Sequence, residues 1–303
     1  MGTVHALTRE AVSLAEAISA YEMTLGGPES AATLKSYRGV LRPLAAEYGP
    51  DNGVGALDSR KVAAWFTAQW GASAPGTWNV RLTGLRSACA YWRDQGWLTG
   101  DPTTLLRPRR RAPDRSRALS RADVEALLSR EDVALREKTL WKLAYETAAR
   151  SAELLRLNVE DLDLPNRMTK VRRKGGAIDV IVWQTGTARL LPRLIKGRKS
   201  GPLFLTDRRA RVELPPCDID PGSGRARLSY RQAEDLFRAA SGGATLHQLR
   251  HSALTHDAED GASTPMLMAK SGHTSVASLA RYARPSAEAL ARWQAQRDPA
   301  RRR

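Results

Sequence analysis

The stretch Arg107-Pro108-Arg109-Arg110-Arg111-Ala112-Pro113-Asp114-Arg115-Ser116-Arg117 most constrains what this chain can fold into. Its two prolines lack backbone donors and push the residues before them toward extended conformations, which keeps the run out of a helix. Six arginines against one aspartate give a net charge of +5, and like charges hold a segment open in water. The run therefore divides the chain. It predicts a first domain over residues 1–106, a linker over 107–117 and a second domain over 118–303, and 303 residues are enough for two cores.

The first domain reads as helices. Apolar residues at helical period predict one from Leu7 to Leu25 and another from Ser30 to Tyr48, where Pro43 should kink or break it. Asp58 or Ser59 caps a third helix carrying Val62, Trp65, Phe66 and Trp70. A fourth runs from about Thr77 to Gln95, with Gly96 as its stop. Its tryptophans suit a core. Its Arg81, Arg86 and Arg93 suit phosphate oxygens, because a guanidinium donates two parallel hydrogen bonds to such a group. The linker arginines 107, 109, 110, 111, 115 and 117 suit the same partner, although a solvated charge run has the same composition.

The whole chain carries a formal charge of +16, far more than solubility requires. A polyanion is the expected partner, and nucleic acid is the commonest. A membrane surface is the rival, but no basic helix has a broad apolar face and no apolar run approaches the roughly 20 residues of a span. Two cysteines, Cys89 and Cys217, are too few for a disulfide framework, and no signal-peptide core opens the chain. The expectation is a cytoplasmic, nucleoid-associated protein with free thiols.

The second domain opens at Ser120, a helix cap with Asp123 three residues on. Leu140 to Leu157 reads as a helix holding Arg150 and Glu153 at i, i+3. Asp161 to Leu164 and Met168 to Arg173 read as strands. Lys174-Gly175-Gly176 is a tight turn, followed by an alternating strand from Ala177 to Trp183. Further on, His247 and Arg250 share a helix face, a proton acceptor beside a fixed cation. Gly272-His273 lies in a turn between helical patterns, and Tyr282 comes nine residues after His273. A phenol has a pKa of about 10 and needs a nearby base or cation to act as a nucleophile. His247 and His251 have metal-ligand spacing, but Gln248 stands where a zinc protease has glutamate and no cysteine pair adds ligands.

The ordered set Arg150, Lys174, His247, Arg250, His273 and Tyr282 resembles the signature of the tyrosine recombinase (phage integrase) family, in its two-domain, Xer-like form. Two positions depart from the family pattern. Thr147-Ala148 stands where Thr-Gly is usual before the first arginine, and Ser271 replaces the usual leucine before Gly-His. Both substitutions read as small and remote from charge.

The resemblance implies a mainly α fold with a small antiparallel sheet in the C-terminal domain, joined to a helical core-binding (SAM-like) N-terminal domain. It implies strand cutting and rejoining through a 3′-phosphotyrosine link, with no metal or nucleotide cofactor. Tyr282 would be the nucleophile, His247 its base, Arg150 and Arg250 the phosphate clamp, His273 a donor to phosphate and Lys174 the acid for the leaving 5′-oxygen. Glu153 would orient the site. A short amphipathic helix, Ser286 to Gln294 with Leu290 and Trp293 on one side, could join copies into a tetramer on double-stranded DNA, the partner that the resemblance implies, or could pack in cis on its own chain. A type IB topoisomerase uses the same residues as a monomer and is the nearest alternative. A catalytically idle DNA-binding regulator is the other, and it has no use for the full set.

Overall fold

Ser13 caps the first helix. Its hydroxyl accepts from the Glu16 amide at 3.2 Å while the Glu16 carboxylate accepts from the Ser13 amide at 3.0 Å, so two orphan donors are satisfied reciprocally. The computed structural model describes residues 12–27, 30–110, 118–173, 176–279, 290–291 and 293–295. It divides into two units, Met1–Asp114 and Arg115–Arg303.

The first unit is α1 (Leu14–Thr24), α2 (Ala31–Tyr48), α3 (Ser59–Trp70) and α4 (Pro75–Asp94). Asp58 caps α3 by accepting from the amides of Arg60 and Lys61, both at 3.0 Å. The core gathers Ile18, Leu41, Leu44, Phe66, Leu85 and Trp92, and the Trp92 indole donates to the Ala17 carbonyl at 2.8 Å. The break expected at Pro43 is absent: α2 runs uninterrupted through it. Leu41 and Leu44 flank the proline and are fully buried, so core packing outweighs its cost of about 3 kcal/mol.

The second unit opens with α5 (Arg121–Ser129), capped by Ser120, and α6 (Leu135–Thr147). The single helix expected over Leu140–Leu157 is in fact two. Ala148 takes left-handed backbone angles (φ 48°, ψ 22°), Arg150 is extended, and α7 (Ser151–Leu155) begins after it. The Thr147 hydroxyl marks the break, since it donates to the Leu143 carbonyl at 2.7 Å and accepts from the Ala149 amide at 3.2 Å.

Three antiparallel strands follow in the order β1 (Leu162–Asp163), β2 (Met168–Arg172), β3 (Ile178–Val182). Thr169 pairs with Ile181 and Val171 with Asp179, which turns Val171 and Ile181 to the core and Lys170 and Arg172 outward. After α8 (Thr185–Ile195) comes a hairpin that the sequence reading did not foresee, β4 (Leu205–Arg209) with β5 (Arg225–Arg227). Then come α9 (Tyr230–Ala240), α10 (Leu246–Glu259), α11 (Thr264–Ser271) and α12 (Val276–Leu279). Trp141, Leu143, Val171, Ile181, Phe204, Phe237 and Leu249 fill the main core. A satellite cluster of Ala148, Ala253, Leu254, Leu267 and Leu279 ties the α6 end to α10, α11 and α12. No helix among the described residues is long and apolar enough to cross a membrane.

Ala148 stores strain, because a left-handed residue with a Cβ costs about 1–2 kcal/mol. Its methyl is also fully buried in the satellite cluster. Ala148→Gly trades relief of strain against lost packing and a looser unfolded chain, so its stability should stay within about 1 kcal/mol of the parent. Ala148→Val adds a β-branch at positive φ in a filled site and should cost about 2–3 kcal/mol. Urea unfolding separates the two, and a harmless valine would refute the left-handed assignment.

Candidate active site

The α6–α7 break places Arg150 at the N-cap of α7 and Glu153 at its third position. One Glu153 oxygen, Oε1, accepts from Arg150 Nη1 at 2.8 Å. The other, Oε2, accepts from the Arg150 amide at 2.9 Å and from Arg173 Nη1 at 2.6 Å. Glu153 is thus a capping acid and a bridge between two guanidinium groups.

Arg173 follows β2, and strand alternation turns it inward, where its side chain is 4% exposed. Its Nε donates to Asp179 Oδ2 at 2.9 Å and its Nη2 approaches the Lys270 carbonyl at 3.4 Å. Arg150 keeps 37% of its side chain exposed, so it is the guanidinium that reaches the surface while Arg173 stays inside. The Gly272 backbone explains the glycine before His273. Its φ is +64°, and a Cβ there would lie 2.5 Å from Arg173 Nε.

Thr245 caps α10 through a reciprocal pair with Gln248: the Gln248 amide donates to the Thr245 hydroxyl and the Thr245 amide to Gln248 Oε1, both at 3.0 Å. Gln248 therefore has a structural task. His247 is exposed at the second position of this helix. Arg250, one turn on, is buried, and its Nη1 donates to the Ala148 carbonyl in a short bond while Nη2 donates to the Ser271 carbonyl at 2.8 Å. The Ser271 hydroxyl lies 2.6 Å from His273 Nδ1. A bonded set thus joins Arg150, Glu153 and Arg173 on one side, and Arg250, Ser271 and His273 on the other. Ala148, two residues before Arg150, links the sides.

Lys174 and Tyr282 lie outside the described residues, as do Arg111, Arg115 and Arg117. So does most of the segment Ser286 to Gln294, of which Leu290 and Trp293 are exposed. Among the described residues no three His, Cys, Asp or Glu side chains gather as a metal site.

In the first unit three of the arginines expected at phosphates, Arg81, Arg86 and Arg109, have partners within the protein. Arg81 donates to the Ser36 carbonyl at 2.7 Å, in the space that Gly39 leaves open, and Arg86 to the Leu106 carbonyl at 2.7 Å. Arg109 is not a solvated linker residue. Its Cζ lies 3.8 Å over the Trp78 ring, its Nη1 donates to the Ser73 carbonyl at 3.1 Å, and its backbone pairs with the Asn79 amide group. The described start of the linker, residues 107–110, is therefore docked on α4 through Arg109. Arg93, Arg107 and Arg110 are exposed.

Arg173, Asp179 and Ser271 were missed in the sequence. Arg173 stood in a run of three cations whose facing depended on the register, and the ladder ending at Arg172 and Ile178 resolves it.

Away from this set, Tyr145 Oη and His256 Nδ1 share a hydrogen bond of 2.7 Å. Burial raises the Tyr145 phenol, and burial together with the Arg121 cation lowers His256.

Two predictions follow from these environments. Glu153→Ala leaves Arg173 buried with only the half-exposed Asp179 as acid, and it should cost about 3 kcal/mol in urea unfolding. Asp179→Ala should cost about 1 kcal/mol or less, and equal losses would contradict the ranking. For His256, the unfolded chain takes up a proton that the folded state resists. Its contribution is complete above about pH 6.5 and is lost as pH falls toward the lowered folded value. His256→Gln should flatten the fall in stability between about pH 6.5 and 5, and an unchanged slope would remove His256 from the account.

Comparisons with known proteins come from both sequence and structure. The phage integrase family model matches residues 117–289. Tyrosine recombinase XerC of Mycobacterium tuberculosis (strain ATCC 25177 / H37Ra) is 32% identical over 275 residues, covering 82% of this chain and 87% of that protein. XerC of Mycobacterium sp. (strain KMS) is 28% identical over 271 residues with the same coverage. Among solved structures, a Tn1549 transposon integrase in complex with circular intermediate DNA superposes with a TM-score of 0.67 at 17% identity, over 93% of this chain and 99% of that one. A lambda integrase tetramer bound to a Holliday junction gives 0.68 at 17% identity, over 90% and 78%. At such identity these two structures speak for the fold.

Proposed function

The chain belongs to the phage integrase family of tyrosine recombinases, and from that premise we propose how its own residues carry out site-specific DNA recombination. Tyr282 Oη attacks the scissile phosphorus as His247 takes the phenolic proton. The bond from phosphorus to the 5′-oxygen breaks, and Lys174 supplies that oxygen with a proton. A 3′-phosphotyrosine and a free 5′-hydroxyl result. A 5′-hydroxyl from a second strand then attacks the same phosphorus and releases Tyr282. One phosphodiester is exchanged for another, so no external energy source is needed.

The transition state gathers charge on the two non-bridging oxygens. Arg150 and Arg250 would stabilise it, with His273 as a further donor. What supports this reading is the bonded set from Glu153 to His273. It holds Arg150 outward against a buried acid and sets Arg250 and His273 from the two ends of Ser271. Glu153 acts as the positioning residue for Arg150.

Binding of the duplex falls to the helical domain over residues 1–106, the linker 107–117 and the catalytic domain 118–303. Among the described residues of the first unit, exposed Arg93, Arg107 and Arg110 are the phosphate contacts, whereas Arg81, Arg86 and Arg109 hold that unit together. Assembly into a tetramer uses the exposed Leu290 and Trp293 of the C-terminal segment.

A nicked duplex with a bridging 5′-phosphorothiolate tests the chemistry, because its sulfur leaves without protonation. Tyr282→Phe should bind and form no SDS-resistant adduct on either the sulfur or the ordinary substrate. Lys174→Ala should be slow on ordinary DNA and near parental rate with sulfur. An adduct from the Phe variant overturns the nucleophile, and equal slowness on both substrates overturns the acid.

A further inference from the structure

We infer that Ser271 is a positioning residue that selects the proton-donating form of His273. The inference rests on the reading above, in which His273 donates to a phosphate oxygen. A neutral imidazole carries its proton on Nδ1 or on Nε2, and only the second form donates through Nε2. The Ser271 hydroxyl lies 2.6 Å from Nδ1, well inside hydrogen-bond range, while its alternative acceptor, the Met268 carbonyl, is 3.4 Å away.

Of the two neutral forms, only one uses the short contact well: the hydroxyl donates to Nδ1 and the ring proton sits on Nε2. The other, with Nδ1–H and a bare Nε2, turns the serine hydrogen toward the distant Met268 carbonyl and is disfavoured. A doubly protonated ring turns the hydroxyl the same way, but it carries Nε2–H in any case. His273 is therefore held as a donor in either charge state.

The serine itself is held. It is fully buried, closes α11, and its carbonyl accepts from Arg250 Nη2 at 2.8 Å. One residue thus positions Arg250 through its backbone and His273 through its side chain. A leucine, the residue usual at this position in the family pattern, has no group to offer Nδ1, so the family pattern does not supply this contact.

The test is nitrogen-detected NMR of the full-length chain labelled in its five histidines, with His273 assigned by comparison with His273→Gln. The expected result is Nε2–H as the dominant neutral form in the parent, with the Nδ1–H form appearing in Ser271→Ala. Formation of the covalent adduct should slow about tenfold in Ser271→Ala, the worth of one orienting hydrogen bond, and Ser271→Thr should recover most of the loss. Dominant Nδ1–H in the parent overturns the inference whether or not any variant folds. An unchanged ring form and rate in Ser271→Ala do the same. A His273→Gln variant that cleaves at the parental rate removes the role of His273 itself, which is a separate failure from a wrong tautomer.

Discussion

One buried carboxylate holds the candidate site in order. Glu153 faces the Arg150 guanidinium with one oxygen and the Arg173 guanidinium with the other, and it also closes the N-terminus of α7. Two cations about one acid repel unless the acid is well placed, and desolvation makes the balance stricter. Asp179 supplies the second negative charge from the sheet. The helix break, the end of β2 and the turn before His273 are therefore tied to one electrostatic arrangement. Arg150 is the member left facing outward, with its charge supported from behind.

Arg250 performs the complementary task with neutral partners. Its two terminal nitrogens reach the carbonyls of Ala148 and Ser271, the two positions at which this chain departs from the family pattern. They read in sequence as small changes remote from charge. In space they lie at the two ends of one guanidinium. A carbonyl accepts equally well from any residue type, so the backbone bonds survive both substitutions. What changes is what the side chains add: a strained but buried methyl at Ala148 and a hydroxyl against His273 at Ser271.

How much could be read beforehand follows from the range of each determinant. Local signals read correctly: the Asp58 and Ser120 caps, the helix carrying His247 and Arg250, and the hairpin strands around residues 174 and 175. The helix over Leu140–Leu157 misled because its apolar period continues through Ala148 and Ala149, and nothing in an alanine pair announces a left-handed turn. Of the kink or break expected at Pro43, the break does not occur, since the cost of the proline is local and the packing that offsets it comes from other helices. The hairpin of β4 and β5 was invisible for a further reason. Its strands are short, rich in arginine and separated by fifteen residues, so neither alternation nor a tight turn marks them. Arg173 was legible as a cation, but its inward facing depended on a register that only the pairing of β2 with β3 reveals.

The arginines of the first unit show why charge and contact must be argued separately. Arg81, Arg86 and Arg109 spend donors on carbonyls, and Arg109 also lies against the Trp78 face. A guanidinium engaged in this way has lost part of the fork that would grip a phosphate in two places. It has not lost its charge, because a carbonyl is a dipole and an indole is neutral. The excess of +16 therefore still acts at long range, drawing a polyanion toward the molecule. The arginines of the first unit with a whole fork to offer are fewer than its sequence contains. An arginine-rich sequence thus reports the strength of the field faithfully and overstates the footprint, and only the hydrogen-bond partners separate the two.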